Sequence, residues 1–173
     1  QRAVVIDLAV NLGVGGAVQT GLIFAYRNGF DAAIKFDGDG QHRAEDIARL
    51  LGPIEAKQAD VTIGSRFVEQ CPQGFKSTPM RRAGIKFFEI FLQLLIGRRF
   101  TDSTSGFRAY NRKAIAFLQR YYPAFDYPEP EEIIILHKHG LRIEECPVRM
   151  QERRAGISSI SPITSIYYML KVS

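Results

Sequence analysis

Short apolar runs alternate with amphipathic segments along the first third of the chain. Strands are predicted at residues 3–6, 32–36 and 60–65, because each is a short, mostly apolar run next to glycine or charged residues. Helices are predicted between them at 17–28 and 44–51, where apolar residues recur every three or four positions. Strands that alternate with helices at this spacing predict an α/β fold with a Rossmann-like, mostly parallel sheet and helices on both faces.

The rest of the chain predicts further elements of a different character. The helix expected at 80–96 has apolar residues in nearly every direction, which is typical of a helix that is buried or lies against a membrane or a partner. From residue 162 the i, i+3, i+4, i+7 spacing of apolar residues predicts an amphipathic tail helix at 161–173. The other expected elements are a loop at 68–79, strands at 106–110 and 141–147, and helices at 112–118 and 129–139.

Composition narrows the class of protein. A chain of 173 residues with 46% hydrophobic and 24% charged residues fits one soluble globular domain and excludes a disordered or collagen-like chain. No apolar run approaches the roughly 18–20 residues that a membrane-spanning helix needs. The chain begins with Gln1 and shows no signal-peptide pattern, so we expect a fragment whose natural beginning is missing. Cys71 and Cys146 lie far apart without metal-type spacing, which predicts two reduced thiols in a cytoplasmic protein.

Charge is distributed unevenly along the sequence. Residues 1–60 carry six Lys or Arg and eight Asp or Glu, whereas residues 61–173 carry 17 and ten. A basic second half suggests an anionic partner, which is a nucleic acid, a phosphorylated substrate or an acidic membrane face. The aromatic residues cluster with aliphatic ones rather than with arginines, which argues against a surface that stacks nucleic-acid bases.

An acidic turn directly follows the strand expected at 32–36. Ligands bind at the carboxyl ends of strands in open α/β sheets, and here Asp37 and Asp39 are one residue apart with glycines that permit a turn. Two carboxylates of this kind converge readily on Mg²⁺ or Mn²⁺, and Gln41 adds a neutral oxygen ligand. Such a cation would neutralise a diphosphate leaving group. The alternative is a solvated acidic turn without a ligand.

A glycine-rich stretch opens the first expected helix. The stretch from Asn11 through Gly13 to Gly16 places backbone N–H groups at the start of a helix, where they could face a phosphate. It matches neither a dinucleotide-binding fingerprint nor a Walker loop. The alternative is a tight turn that packs the helix on the sheet.

Several blocks, in order, resemble family 2 glycosyltransferases of the GT-A fold. The resemblance is strongest to the branch with dolichol-phosphate mannose synthase and bacterial polyprenyl-phosphate sugar transferases. The blocks are NLGVGGA at 11–17, FDGDGQH at 36–42, VTIGSRF at 61–67, DSTSGFR at 102–108, EECPV at 144–148 and RRAGISSI at 153–160. The resemblance implies a catalytic domain over 1–160, followed by the tail helix 161–173 as a candidate membrane-proximal segment.

The resemblance implies roles for particular residues in donor binding. Asp37 and Asp39, with Gln41, are implied to hold the Mg²⁺ or Mn²⁺ that bridges the diphosphate of a nucleotide sugar. The further donor-side or phosphate-binding candidates are Asn11, Gly13, Arg66, Arg81 and Arg154. Arginine suits this task because its planar fork is permanently charged and binds two phosphate oxygens together.

On the acceptor side, the resemblance implies that Asp102 opens the loop facing the acceptor and that Arg108 is a further catalytic, phosphate-contacting residue. A hydroxyl acceptor would need a base, for which Asp102 and then Glu131 are candidates, whereas an ionised polyprenyl phosphate needs none.

The activity implied is inverting, metal-dependent sugar transfer from a nucleoside-diphosphate sugar to a polyprenyl phosphate or a glycan, at the cytoplasmic face of the cell membrane. The helix at 80–96 is a candidate membrane or homodimer contact. The family's first strands, which hold the nucleotide, are absent, and Ser159 stands where a lysine is usual. Two alternatives are a non-catalytic remnant that serves as a membrane or protein interaction module, and a nucleotidyltransferase.

Overall fold

The computed structural model describes residues 3–68, 79–123 and 129–151, with the backbone alone given for residues 79–85, 87 and 88. Five α-helices and four strands are present within these ranges. In chain order they are α1 (Gly13–Arg27), β1 (Ala32–Lys35), α2 (Ile47–Glu55), β2 (Val61–Ser65), α3 (Pro79–Ile96), β3 (Arg108–Asn111), α4 (Arg112–Tyr121), α5 (Glu129–Lys138) and β4 (Ile143–Pro147). A short 3₁₀ turn at Ala44–Asp46 leads into α2.

The four strands form one sheet in the order β1-β3-β2-β4. Strand β3 is antiparallel to β1 and β2, whereas β2 and β4 are parallel. Three strands therefore run in one direction, but β3 lies between β1 and β2, so two of the three strand pairings are antiparallel and the sheet is mixed rather than mostly parallel. Strand β3 is reversed because the preceding segment is held at the carboxyl ends of β2 and β4, where Glu145 accepts hydrogen bonds from the backbone N–H groups of Thr101 and Asp102. The chain consequently enters β3 from that edge.

Apolar side chains cover both faces of the sheet, which confirms the α/β prediction. Alternate strand residues face opposite sides because side chains in a strand have a period of two. Val61, Ile63 and Tyr110 point into a large core that they share with helices on one face. Ala109 and Cys146 point to the other face and pack with Leu50 of α2 and its neighbours.

The first predicted strand is wrong. Residues 3–7 form no strand, and Val4 and Val5 are 66% and 89% exposed. A short apolar run becomes a strand only when a neighbouring strand satisfies its backbone groups, and none of the described residues pairs with this run. Helix α1 also begins earlier than expected, at Gly13 rather than at residue 17.

Helix α3 lies close to its predicted range, but it is not buried on all sides. Leu92 is fully buried, whereas Ile90, Leu94 and Leu95 are 49%, 81% and 52% exposed. One face of α3 therefore presents apolar side chains to the surroundings. Within the described part of the chain, no helix has both the length and the apolar character needed to cross a bilayer. The tail helix expected at 161–173 lies outside the described residues.

Candidate active site

One edge of the sheet collects segments that are far apart in the sequence. The carboxyl ends of β1, β2 and β4 lie at this edge, together with the start of β3. The turn at 36–42, Arg66 and the loop at 102–107 consequently meet here. Ligands of open α/β sheets bind at such an edge, because the loops that follow parallel strands converge there.

The acidic turn is closed by its own side chains. The Oδ1 atom of Asp39 accepts a hydrogen bond from the backbone N–H of Gln41 at 3.0 Å, and Gly40 has a φ of 76°, a conformation that favours glycine. Asp37 is half-exposed, with Oδ2 3.5 Å from Nε2 of His42. His42 is itself buried against the ring of Phe107, with a centroid distance of 4.7 Å. The turn therefore presents its carboxylates from a fixed backbone.

The donor chemistry of this turn fits a hard divalent cation. Two carboxylates and the side-chain carbonyl of Gln41 lie on one tight turn, and oxygen ligands of this kind are those that Mg²⁺ and Mn²⁺ prefer. Among the residues whose positions the structure gives, no three or more His, Cys, Asp or Glu side chains are grouped to hold a metal ion. A cation site at this turn is accordingly taken up as a proposal below.

Gly106 lets the loop at 102–107 approach the acidic turn. A Cβ atom built on Gly106 would lie 3.1 Å from Oδ2 of Asp37 and 3.5 Å from Nζ of Lys35. The carboxylate of Asp37 and the ammonium of Lys35 thus lie beside the same backbone position. A side chain at this position would press directly on the turn.

Asp102 is fully committed to an ion pair with Arg66. Its two carboxylate oxygens accept hydrogen bonds from Nε and Nη2 of Arg66, both at 2.6 Å. The side chains are 0% and 5% exposed. Asp102 is therefore enclosed and paired in this structure, and its predicted role at the acceptor is taken up below as a question for experiment.

Glu145 fixes the same loop from β4. Its carboxylate accepts hydrogen bonds from the backbone N–H groups of Thr101 and Asp102, both at 2.8 Å. Burial raises the pKa of Glu145, although these hydrogen bonds oppose the shift. Glu145 lies in a block quoted for the family resemblance, but its role as an anchor had no signal in the sequence.

Arg108 is also buried rather than directed at a ligand. Its side chain is 0% exposed, and it donates hydrogen bonds to the carbonyl oxygens of Ser103, Ser105 and Glu129. Nη1 lies 3.1 Å from a carboxylate oxygen of Glu132 in an ion pair that is not aligned for a hydrogen bond. Although burial opposes the charge, the neighbouring Glu132 raises the pKa of Arg108. Arg108 thus joins the loop at 102–107 to α5, and its predicted contact with a phosphate stays a prediction.

Lys35 and Glu129 form a third buried ion pair, which sequence reasoning missed. Nζ of Lys35 lies 2.6 Å from Oε1 of Glu129, and both residues are 8% exposed. A lysine that ends an otherwise apolar strand, two residues before Asp37, was the available signal in the sequence. Its partner could not be inferred, because the two residues are 94 positions apart.

The glycine-rich stretch lies toward the same edge. Helix α1 packs on β1 and ends close to the start of that strand, so its beginning lies toward the strand's carboxyl end. Oδ1 of Asn11 accepts a hydrogen bond from the backbone N–H of Gly13 at 2.9 Å. A Cβ on the buried Gly16 would overlap Cβ of Leu12, so this turn requires glycine. The side chains of Arg81 and Arg154 lie outside the described residues.

Comparison with known proteins gives one family. A family model described as glycosyl transferase family 2 matches residues 1–118. The chain is 37% identical over 150 residues to a UDP-N-acetylglucosamine–dolichyl-phosphate N-acetylglucosaminyltransferase of Methanococcus voltae, covering 86% of this chain and 59% of that protein. It is 31% identical over 169 residues to a polyprenol monophosphomannose synthase of Mycolicibacterium smegmatis, covering 93% and 61%.

A third relative is an undecaprenyl-phosphate mannosyltransferase of Micrococcus luteus, 30% identical over 154 residues, with 86% of this chain and 61% of that protein covered. The chain therefore spans about three fifths of the length of these relatives.

Proposed function

Since the chain belongs to glycosyl transferase family 2, we propose that its protein transfers a sugar from a nucleoside-diphosphate donor to a polyprenyl phosphate. The observation that carries this proposal is the convergence of the acidic turn, Arg66 and the loop at 102–107 at one edge of the sheet. The names of the three relatives support this class of acceptor. The first name contains dolichyl phosphate, the second polyprenol monophosphomannose and the third undecaprenyl phosphate.

The donor diphosphate binds with Mg²⁺ or Mn²⁺ at the acidic turn in this proposal. Asp37 and Asp39 would hold the cation through their carboxylates, with Gln41 as a neutral ligand. The bound cation supplies charge neutralisation for the departing diphosphate, which is the kind of electrostatic effect that dominates many catalysed reactions. Asn11 and Gly13 approach the donor from the start of α1, and Arg66, Arg81 and Arg154 are the phosphate contacts.

The arrangement of Asp102 favours a phosphate acceptor over a glycan hydroxyl. A hydroxyl must lose a proton to a base as it attacks, and both carboxylate oxygens of Asp102 are occupied by Arg66. A polyprenyl phosphate is ionised at neutral pH and attacks without a base. In-line attack by its oxygen inverts the configuration at the sugar's anomeric carbon.

The exposed apolar face of α3 contacts the membrane that carries the acceptor. Ile90, Leu94 and Leu95 are exposed on this face, and the half-exposed Arg98 and Arg99 follow in the chain. Apolar side chains beside basic ones suit the surface of an anionic bilayer. We place the protein at the cytoplasmic face of the cell membrane. Failure of the protein to sediment with anionic vesicles at low salt would contradict this placement. If the protein instead forms a dimer as its concentration rises, the apolar face of α3 would be assigned to contact with a second copy of the chain.

The test of the activity uses full-length protein, radiolabelled UDP- and GDP-sugars, and polyprenyl phosphate with Mn²⁺. We expect a labelled lipid product that is lost on chelation and in Asp39→Ala. The matched control is Asp31→Ala, which removes an exposed aspartate at the opposite end of β1 and leaves product formation unchanged. Binding to vesicles without product from any donor would instead favour the non-catalytic interaction module.

A further inference from the structure

Two buried cations lie side by side on neighbouring strands of the sheet, next to the acidic turn. Lys35 of β1 and Arg108 of β3 are directly paired in the antiparallel register, and they are 8% and 0% exposed. Like charges directly opposite one another destabilise a sheet, and a buried charge requires a partner. This pair of strand residues must therefore be neutralised from another element.

The first turn of α5 supplies both neutralising carboxylates. Glu129 lies 2.6 Å from Lys35, and Glu132 lies 3.1 Å from Arg108. Residues three positions apart project from the same side of a helix, so one helix face delivers one carboxylate to each cation. The carbonyl oxygen of Glu129 also accepts a hydrogen bond from Arg108, which fixes this turn against the sheet.

Lys35 is the member of this group that lies beside the acidic turn. Its ammonium and a carboxylate oxygen of Asp37 lie 3.5 Å and 3.1 Å from the same point, the Cβ position of Gly106. An uncompensated ammonium there would oppose the binding of a cation by Asp37 and Asp39, because like charges repel strongly where little water intervenes.

We propose that Glu129 is a positioning residue that balances the charge of Lys35, so that the acidic turn keeps its affinity for a divalent cation. This inference rests on the proposed function, in which Asp37 and Asp39 hold the metal. Lys35 fills the space under the loop and holds α5, and Glu129 removes its positive charge from the field at Asp37. The first turn of α5 thus contributes to the metal site without providing a ligand.

The test is a charge cycle read out by direct Mn²⁺ binding. The dissociation constant for Mn²⁺ alone is measured by electron paramagnetic resonance for the full-length protein and for Lys35→Met, Glu129→Gln and the double variant. Glu129→Gln weakens binding at least tenfold, because one unit charge a few ångströms from a divalent cation changes its affinity by about that factor even at the dielectric constant of water. Lys35→Met binds Mn²⁺ as tightly as the parent protein or more tightly, and the double variant returns to the parent value.

Controls separate this effect from loss of folding. Lys35→Arg retains the parent affinity, and Glu144→Gln, which removes a half-exposed carboxylate paired with Arg98 on the surface, also retains it. Thermal melts report the folded fraction of each variant. A purely structural pair would weaken binding in Lys35→Met as well, in proportion to the fraction unfolded.

Each outcome bears on a different statement. Mn²⁺ binding by the parent protein with no change in Glu129→Gln overturns the inference alone. Failure of the double variant to regain the Mn²⁺ affinity of the parent protein also overturns the inference. Absence of Mn²⁺ binding in the parent protein overturns the proposed metal site, and the inference with it.

Discussion

Replacing Asp102 by asparagine tests whether this carboxylate positions Arg66 or acts on the substrate. The substitution keeps the size of the side chain and removes its charge. The side chains of Asp102 and Arg66 are 0% and 5% exposed, and two contacts of 2.6 Å join them. Removal of one partner from a buried ion pair typically costs about 3–5 kcal/mol, because the remaining charge stays enclosed. Since asparagine still accepts one hydrogen bond, we expect a loss of about 3 kcal/mol.

The loss is measured as the free energy of unfolding in urea. Glu144→Gln is the matched control, because it removes a carboxylate whose pair with Arg98 is 3.4 Å long and half-exposed. Exposed pairs contribute little, so the control changes stability by less than about 1 kcal/mol. A loss below about 1 kcal/mol in Asp102→Asn, together with a large fall in kcat for sugar transfer, would refute the positioning role and restore Asp102 as a base.

Two further predictions follow from close packing and burial. Gly106→Ala places a methyl group 3.1 Å from Oδ2 of Asp37 and shifts the turn by a few tenths of an ångström, so we expect the Mn²⁺ affinity measured by electron paramagnetic resonance to fall about fivefold. The control Gly21→Ala has open space around its Cβ and leaves the Mn²⁺ affinity unchanged. Equal Mn²⁺ affinity in the two variants would contradict the close approach of the loop to the turn. Burial raises the pKa of the Cys146 thiol to about 11, so in a Cys71→Ser background the folded protein resists dithionitrobenzoate at pH 8 and reacts once unfolded. Because the unfolded thiol ionises near pH 9, this group costs stability as the pH rises above that value, and rapid labelling of the folded protein would contradict its burial.

The apolar pattern predicted most of the secondary structure, but it did not predict which segments would find a neighbouring strand to hydrogen-bond with their backbone. Helix α3 and strands β1, β2 and β4 lie close to their predicted positions, because local periodicity determines which backbone conformation can bury one face. Residues 3–6 have the same apolar character as these strands and remain exposed. Strand formation depends on a partner for the backbone, and periodicity carries no information about partners.

At the site, likewise, the motifs predicted which residues come together but not what each residue does there. The sequence placed Asp37, Asp39, Asp102 and Arg108 in one site, because each belongs to a block that resembles the family. It could not distinguish the exposed Asp37 from the buried Asp102 and Arg108, because the same residue types serve as ligands on a surface and as ion pairs in an interior. Their partners, Arg66 and Glu132, become visible only when the chain is folded.

The sequence by itself determined the α/β class, the positions of the motif blocks and the family, since these depend on residue order and local spacing. Only the tertiary structure decided the direction of β3, the exposure of one face of α3, and the pairing of Lys35 with Glu129. These features depend on contacts between residues that are distant in the chain, and burial changes a charged group from a solvated ligand into one that must be neutralised by the protein.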